Sequence, residues 1–169
     1  MISRKRFLLV WLGGLAAFGV AIWLHGPLAI PSVPGGIMEH QTAATAARVD
    51  FIQAEWAQAG VYRAALTAML SDIAFIVLYG LGSLLGGLYF LQRGMRAIGW
   101  LLSILAVVFF ATDMTETVLE VMQLAVGRGD DTKAAIAAAM QYPKIAGWTA
   151  CLVLPIVGLL LERRAAPTA

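Results

Sequence analysis

Hydrophobic residues form long, nearly uninterrupted runs along this chain, and polar residues gather between the runs. Four runs, at about residues 7–24, 66–91, 97–126 and 145–161, approach or exceed the length of about 20 residues that a helix needs to cross the ~30 Å hydrocarbon core of a bilayer. Because the second and third exceed one crossing, we expect them to tilt or to project beyond the bilayer. The pattern predicts an all-α fold, an integral membrane four-helix bundle that forms a single domain over residues 1–169.

The external segment between the first two runs, residues 25–65, is not uniform. Prolines and glycines keep its start irregular, and its composition becomes helical from Glu39 onward. Val49, Ile52 and Trp56 recur at the spacing of one helix face. We therefore predict an amphipathic helix that lies on the external face of the bundle or caps it.

A second external segment, residues 127–144, contains a helix-prone alanine stretch. Pro143 ends this segment, and we expect it to open the fourth span in the first helical turn, where proline is tolerated. Pro155 lies within the span itself, where a proline is expected to kink the helix.

Small residues in the second run form two pairs at helical spacing, Gly82 with Gly86 and Ser83 with Gly87. Such pairs let helix backbones approach closely in lipid. Packing within the chain is the simpler interpretation, and contact with a second copy or with another membrane subunit is the alternative.

Composition supports a membrane protein, since 60% of the residues are hydrophobic and only 13% are charged. A soluble domain of this length could not bury so much apolar surface, so lipid is the expected partner. The formal net charge of +2 does not indicate nucleic acid binding.

Basic residues concentrate in the segments that share one side of a four-span topology, and such segments are usually cytoplasmic. We therefore expect a multi-pass protein of the bacterial inner (cytoplasmic) membrane with both termini cytoplasmic. The first run lacks a small-residue cleavage site, so we expect it to remain as an anchor rather than to be removed as a signal peptide. The basic residues concerned are Arg4, Lys5, Arg6, Arg93, Arg96, Arg163 and Arg164.

Three acidic residues, Asp72, Asp113 and Glu116, lie inside these apolar runs. Asp72 is roughly 9 Å into the second span from the external end. Asp113 and Glu116 are roughly 24 to 29 Å into the third span from its cytoplasmic end. The two spans run in opposite directions, so we expect all three acids to meet in the outer half of the bilayer. Carboxylates at such depth are costly, and they usually face a bundle interior.

Close carboxylates cannot all ionise without a cation, so they must bind a metal, share protons or pair with bases. One interpretation is a buried network that ties the helices together. The other is a pocket, open to the outside, for a proton, a cation, a lipid headgroup or a small polar ligand. Further pocket candidates are Ser71, Thr112 and Tyr79, and the possible ion-pair partners are Arg63, Lys144 and His25.

Motifs that would indicate a catalytic or metal centre are not found. No Glu-x-x-His or His-x-x-x-His pattern accompanies the acids, and His25 and His40 are isolated in the sequence, so we expect no metal and no cofactor. Ser71 has no convincingly placed histidine. The single cysteine, Cys151, excludes an intrachain disulfide. These observations favour a protein that is not an enzyme.

The combination of Gly-x-Tyr-Arg at residues 60–63, Asp72, Tyr79 and Asp113-x-x-Glu116 resembles a loose group of small bacterial four-span membrane proteins. That group often has an aspartate that opens the second span and an Asp-x-x-Glu-Asn in the third, where this chain has Thr117 in place of the asparagine. The resemblance implies a four-span topology and implies no reaction.

The sequence thus predicts a small, non-catalytic accessory or ligand-binding subunit of the inner membrane, with an outward-facing pocket of buried carboxylates. The alternative is a proton- or cation-linked transporter, or a membrane enzyme that acts on a lipid or quinone headgroup. In that case Asp72 would accept a proton, and Asp113 and Glu116 would form a cation or proton site.

Overall fold

Six α-helices make up almost the whole chain in the computed structural model, which describes the backbone of residues 1–165 and the side chains of residues 1–163. No extended strand occurs within residues 1–165, so the all-helical prediction is confirmed for that part of the chain. Residues 166–169 and the side chain of Arg164 lie outside the described residues. The helices are α1 (Arg4–His25), α2 (Ile37–Gln41), α3 (Ala46–Gln58), α4 (Tyr62–Gln92), α5 (Arg96–Val126) and α6 (Asp131–Ala165).

Four of these helices, α1, α4, α5 and α6, are long and apolar enough to cross a membrane, with mean hydropathies between 1.9 and 2.2 over their most apolar windows. Large hydrophobic residues such as Leu12, Ile104 and Leu160 are exposed on their outer faces. Contiguous exposed apolar surface of this kind is unusual on a soluble monomer. The four helices therefore suggest a multi-pass membrane protein.

The four long helices run alternately up and down, with α4 packed between α1 and α5, and α6 packed on α5. Glycines allow the closest approach: a Cβ on Gly14 would come within 2.5 Å of the Tyr79 Cα, and one on Gly82 within 2.5 Å of the Trp11 Cα. Gly87 faces α5 in the same way. The small-residue pairs of the second predicted span therefore pack inside the bundle.

The two short helices lie at the end of the bundle where α1 ends and α4 begins, which we call the capped end. Val49, Ile52 and Trp56 are buried on the face of α3 that contacts the bundle. The indole Nε1 of Trp56 donates a hydrogen bond to the backbone oxygen of Leu28 at 3.0 Å. A glycine with positive φ, Gly60 at 74°, turns the chain from α3 into α4. The capped end is thus closed by tertiary packing rather than by the membrane surface.

The start of the fourth long helix differs from the sequence prediction. Pro143 does not open α6 but lies well inside it, because the helix begins at Asp131 and continues through both Pro143 and Pro155. Alanine-rich residues after Asp131 have high helix propensity, and a proline in a helix removes a single N–H donor while its neighbours continue the helix. Most of the predicted external segment 127–144 is therefore the first part of α6.

Candidate functional site

A cavity of about 520 Å³ lies near the capped end, between α1, α4, α5 and α6 and next to α2. Its walls include residues from all of these helices, so that no single helix defines it. Ile22 of α1 and Ile145 of α6 line it while remaining 56% and 48% exposed, which indicates that it opens between these two helices. The polar residues that line it are His25, Gln41, Asp72, Asp113, Gln141 and Lys144.

One side-chain pair in the wall joins α1 to α4. The Nε2 atom of His25 lies 3.0 Å from each carboxylate oxygen of Asp72. His25 is the last residue of α1, and Asp72 lies on the buried face of α4. The other ring nitrogen of His25, Nδ1, is buried and has no hydrogen-bond partner among the described residues.

A second cluster joins α5 to α6 and is centred on Lys144. The Nζ atom of Lys144 lies 2.6 Å from Oε1 of Glu116 and 3.8 Å from Oδ1 of Asp113. Asp113 and Glu116 are one helical turn apart on α5, so their carboxylates face the same side of that helix. Glu116 is fully buried behind the wall, whereas Asp113 lines the cavity itself.

Gln141 connects this cluster to α2 at the capped end. Its Nε2 donates to Oε1 of Glu116 at 2.9 Å and to Oε1 of Gln41 at 3.1 Å. Both partners are acceptors, so the amide must present its nitrogen to them and its oxygen elsewhere. Within residues 1–163, that oxygen finds no hydrogen-bond partner.

A second buried polar cluster lies at the capped end, where His40 of α2 meets Glu120, a further acid of α5. The Nδ1 atom of His40 lies 3.7 Å from Oε1 of Glu120, which is one helical turn beyond Glu116, and the imidazole ring stacks on Trp56. Gln53 lies 3.4 Å from the other ring nitrogen. Burial lowers the pKa of His40 to about 4, because a charged imidazole loses its hydration in this position. His40, isolated in the sequence, thus belongs to a buried polar group at the capped end.

The sequence named four further candidates that the structure places away from the cavity. Ser71 and Thr112 donate to backbone oxygens of their own helices, at 2.6 Å to Ala68 and 2.8 Å to Val108. Tyr79 is fully buried and donates to the backbone oxygen of Trp148 at 3.0 Å. Arg63 is exposed, and within residues 1–163 it forms no ion pair. Hydroxyl groups in apolar helices bond to the preceding turn, and an arginine at a helix start can reach water.

Aromatic side chains that the sequence analysis did not single out form the apolar walls. The Phe18 ring centroid lies 4.9 Å from that of Phe75 and 5.3 Å from that of Trp148, and Phe109 completes the group at 5.7 Å from Phe75. All four residues line the cavity. Their helical spacing alone could not distinguish a cavity wall from a packed core or a lipid-facing surface.

Asp72 and Asp113 line the same cavity. Asp72 pairs with His25, and Lys144 lies nearer to Glu116 than to Asp113. Among residues 1–163, no group of three or more His, Cys, Asp or Glu side chains is arranged so that it could hold a metal ion. No known protein family, no curated protein and no solved structure matches this chain.

Proposed function

We propose that this chain is a non-catalytic, ligand-binding protein of the bacterial inner membrane, which serves as a ligand-binding or accessory subunit. Its ligand is an amphipathic small molecule that occupies the cavity at the capped end. The observation that carries this proposal is a cavity of about 520 Å³ with aromatic walls and charged side chains on one part of its lining. Apolar pockets with a few convergent polar groups are the usual form of small-molecule sites.

Lateral access supports a ligand that partitions into lipid. Ile22 and Ile145 are exposed at the opening between α1 and α6, the two helices that would flank an entry path from the bilayer. A molecule with an apolar body could pass between them and place its polar group near Asp72 and Asp113. Water-soluble polar ligands would gain nothing from such an opening.

The side chains that line the cavity favour binding over catalysis. No serine, threonine or cysteine is found among the described residues of its wall. The amine of Lys144 is engaged by Glu116, and the imidazole Nε2 of His25 is engaged by Asp72. Catalysis by a hydroxyl or thiol nucleophile needs such a group within reach of a base, and the described wall offers none.

Analysis of the purified protein tests the proposal. We expect native mass spectrometry in mild detergent to detect a small molecule or lipid that remains bound after delipidation. Ala21 is buried in the cavity wall, so Ala21→Leu should fill part of the cavity and reduce the bound fraction at least several-fold. The control is Ala16→Leu on the exposed side of α1. Equal occupancy in both variants, or no bound molecule in the wild type, would contradict the proposal.

The membrane topology is tested separately. In a Cys151→Ser background, Gln58→Cys at the capped end should react with a membrane-impermeant maleimide in spheroplasts. Ala97→Cys, at the other end of the bundle, should react only after lysis. The reverse labelling pattern would overturn the orientation with both termini in the cytoplasm.

A second function, proton- or cation-linked transport, is favoured by one specific observation. Acidic side chains continue from the cavity through Glu116 and Glu120 to His40 under the cap, and the oxygens of Glu120 have no hydrogen-bond partner within residues 1–163. Proteoliposomes with an internal pH indicator distinguish the two functions. Ligand-driven proton movement that is lost in Glu120→Gln would establish transport, whereas binding without movement supports the proposal above.

A further inference from the structure

The charges around the cavity are unequal. Four carboxylates, those of Asp72, Asp113, Glu116 and Glu120, lie along this part of the bundle, and their basic neighbours are His25, Lys144 and His40. Burial lowers the pKa of His40 to about 4, so even with His25 and Lys144 both protonated the carboxylates outnumber the cations. Buried carboxylates keep their charge only beside a cation, so a further positive group or a proton must complete the balance.

Of the carboxylates without a hydrogen-bonded base, Asp113 is the one that lines the cavity. Lys144 is drawn to Glu116, at 2.6 Å, and stands 3.8 Å from Asp113, beyond hydrogen-bond distance. Asp113 makes no side-chain hydrogen bond to any residue that the structure describes, although it is only 6% exposed. It lines the cavity, where a ligand atom could reach it.

The apolar walls define the other half of the ligand. Phe18, Phe75, Phe109 and Trp148 line the cavity together. Aromatic faces stabilise a desolvated cation through their quadrupoles, and they also bury an apolar body. A metal ion would find no additional oxygen ligands on these walls, and an anion would meet Asp72 and Asp113.

We propose that the ligand of this cavity is an organic ammonium ion, a protonated primary or secondary amine on an apolar body, whose charge pairs with Asp113. This inference rests on the proposed ligand-binding function and deepens it. Two sources supply the same chemistry, the ammonium headgroup of phosphatidylethanolamine and a free lipophilic amine.

A series of isosteric probes tests the charge on the unmodified protein. Isothermal titration calorimetry in phosphatidylglycerol nanodiscs would compare 2-phenylethylammonium with neutral 2-phenylethanol and anionic 3-phenylpropanoate. We expect the ammonium ion to bind at least tenfold more tightly than either analogue. Equal or tighter binding of the neutral or anionic analogue overturns the ammonium inference and leaves the proposed function standing. Failure of all three to bind, together with no co-purified molecule, overturns the proposed function itself.

A matched pair of variants localises the charge. Asp113→Asn should weaken binding of 2-phenylethylammonium at least tenfold and leave binding of 2-phenylethanol within twofold. Glu55→Gln on α3 makes the same chemical change away from the cavity and should alter neither affinity. Unchanged affinity for the cation in a folded Asp113→Asn variant overturns the assignment. If that variant does not fold, the probe series on the wild type still decides whether the ligand is a cation.

The two sources are distinguished by the lipid. At a constant fraction of phosphatidylglycerol, replacement of phosphatidylcholine by phosphatidylethanolamine in the nanodiscs keeps the surface charge unchanged. This replacement should weaken apparent binding of 2-phenylethylammonium at least fivefold if the headgroup occupies the cavity. Unchanged affinity identifies a free amine as the ligand. Both results support an ammonium site, and both require that the cation binds in the first place.

Discussion

The Nζ atom of Lys144 on α6 lies 2.6 Å from Oε1 of Glu116 on α5. Both side chains are largely buried, and their contact joins the two helices beside the cavity. The same contact holds the lysine away from Asp113, so one ion pair determines which carboxylate remains open to a ligand. The ion pair and the carboxylate that we propose to bind the ligand therefore belong to a single cluster.

Removal of the lysine should be strongly destabilising. Lys144→Met leaves Glu116 buried without its cation, and a broken buried pair costs about 3–5 kcal/mol. Chemical denaturation in detergent, followed by circular dichroism, measures this loss. Lys133→Met breaks an exposed pair with Asp130 and should cause no measurable change.

The double variant Lys144→Met with Glu116→Gln provides a further check. A neutral glutamine needs no counter-charge, so much of the lost stability should return. If the double variant is as unstable as Lys144→Met alone, the lysine acts through packing of its aliphatic chain and not through the ion pair.

Asp72→Asn should lower the free energy of unfolding by about 1–3 kcal/mol. Each carboxylate oxygen of Asp72 lies 3.0 Å from Nε2 of His25, and an asparagine amide has only one acceptor oxygen to replace the two. Thermal unfolding in detergent reports the loss. In a His25→Gln background the same substitution should have a smaller effect, and an equal effect would show that the pair is not coupled.

Two glycine-to-alanine substitutions should have opposite outcomes although the chemical change is the same. Gly82→Ala would place a methyl group within 2.5 Å of the Trp11 backbone and force α1 and α4 apart, which should cost about 1–3 kcal/mol. Gly13→Ala meets nothing within 4 Å and should be neutral or slightly stabilising. Melting temperatures of the two variants, measured side by side, test whether α1 and α4 pack as described.

His40 should make stability depend on pH. Its pKa is lowered to about 4 in the folded protein, against 6.5 in an unfolded chain. Above pH 6.5 both states are neutral, but as the pH falls from 6.5 toward 4 only the unfolded chain gains the proton. Stability is therefore lost over that window, by up to about 1.4 kcal/mol per pH unit.

The variant His40→Gln isolates this effect from the titration of the acids. The wild type should lose more stability than the variant between pH 6.5 and 4, and the two profiles should run parallel above pH 7. Parallel profiles over the whole range would mean that the pKa of His40 is the same in the folded and the unfolded protein.

The length and hydropathy of the apolar runs were sufficient to predict four long helices, because crossing a bilayer requires about 20 apolar residues whatever the fold's details. The boundary of α6 was not predictable in this way. Asp131 and the alanines after it form a helix that continues through Pro143, since the turns on both sides support it. Sequence signals for helix starts are local, and here the local proline signal was outweighed by its neighbours.

By itself, the sequence determined that Asp72, Asp113 and Glu116 would lie within the long apolar helices, since their positions along those helices fix their heights. Only the tertiary structure decided their partners, because the rotation of each helix about its axis is set by packing, including the close contacts at Gly14 and Gly82. That rotation placed Asp72 beside His25 and Lys144 beside Glu116, and it left Arg63 exposed. It also brought aromatic side chains from four helices into one wall, and no spacing within a single helix could predict that arrangement.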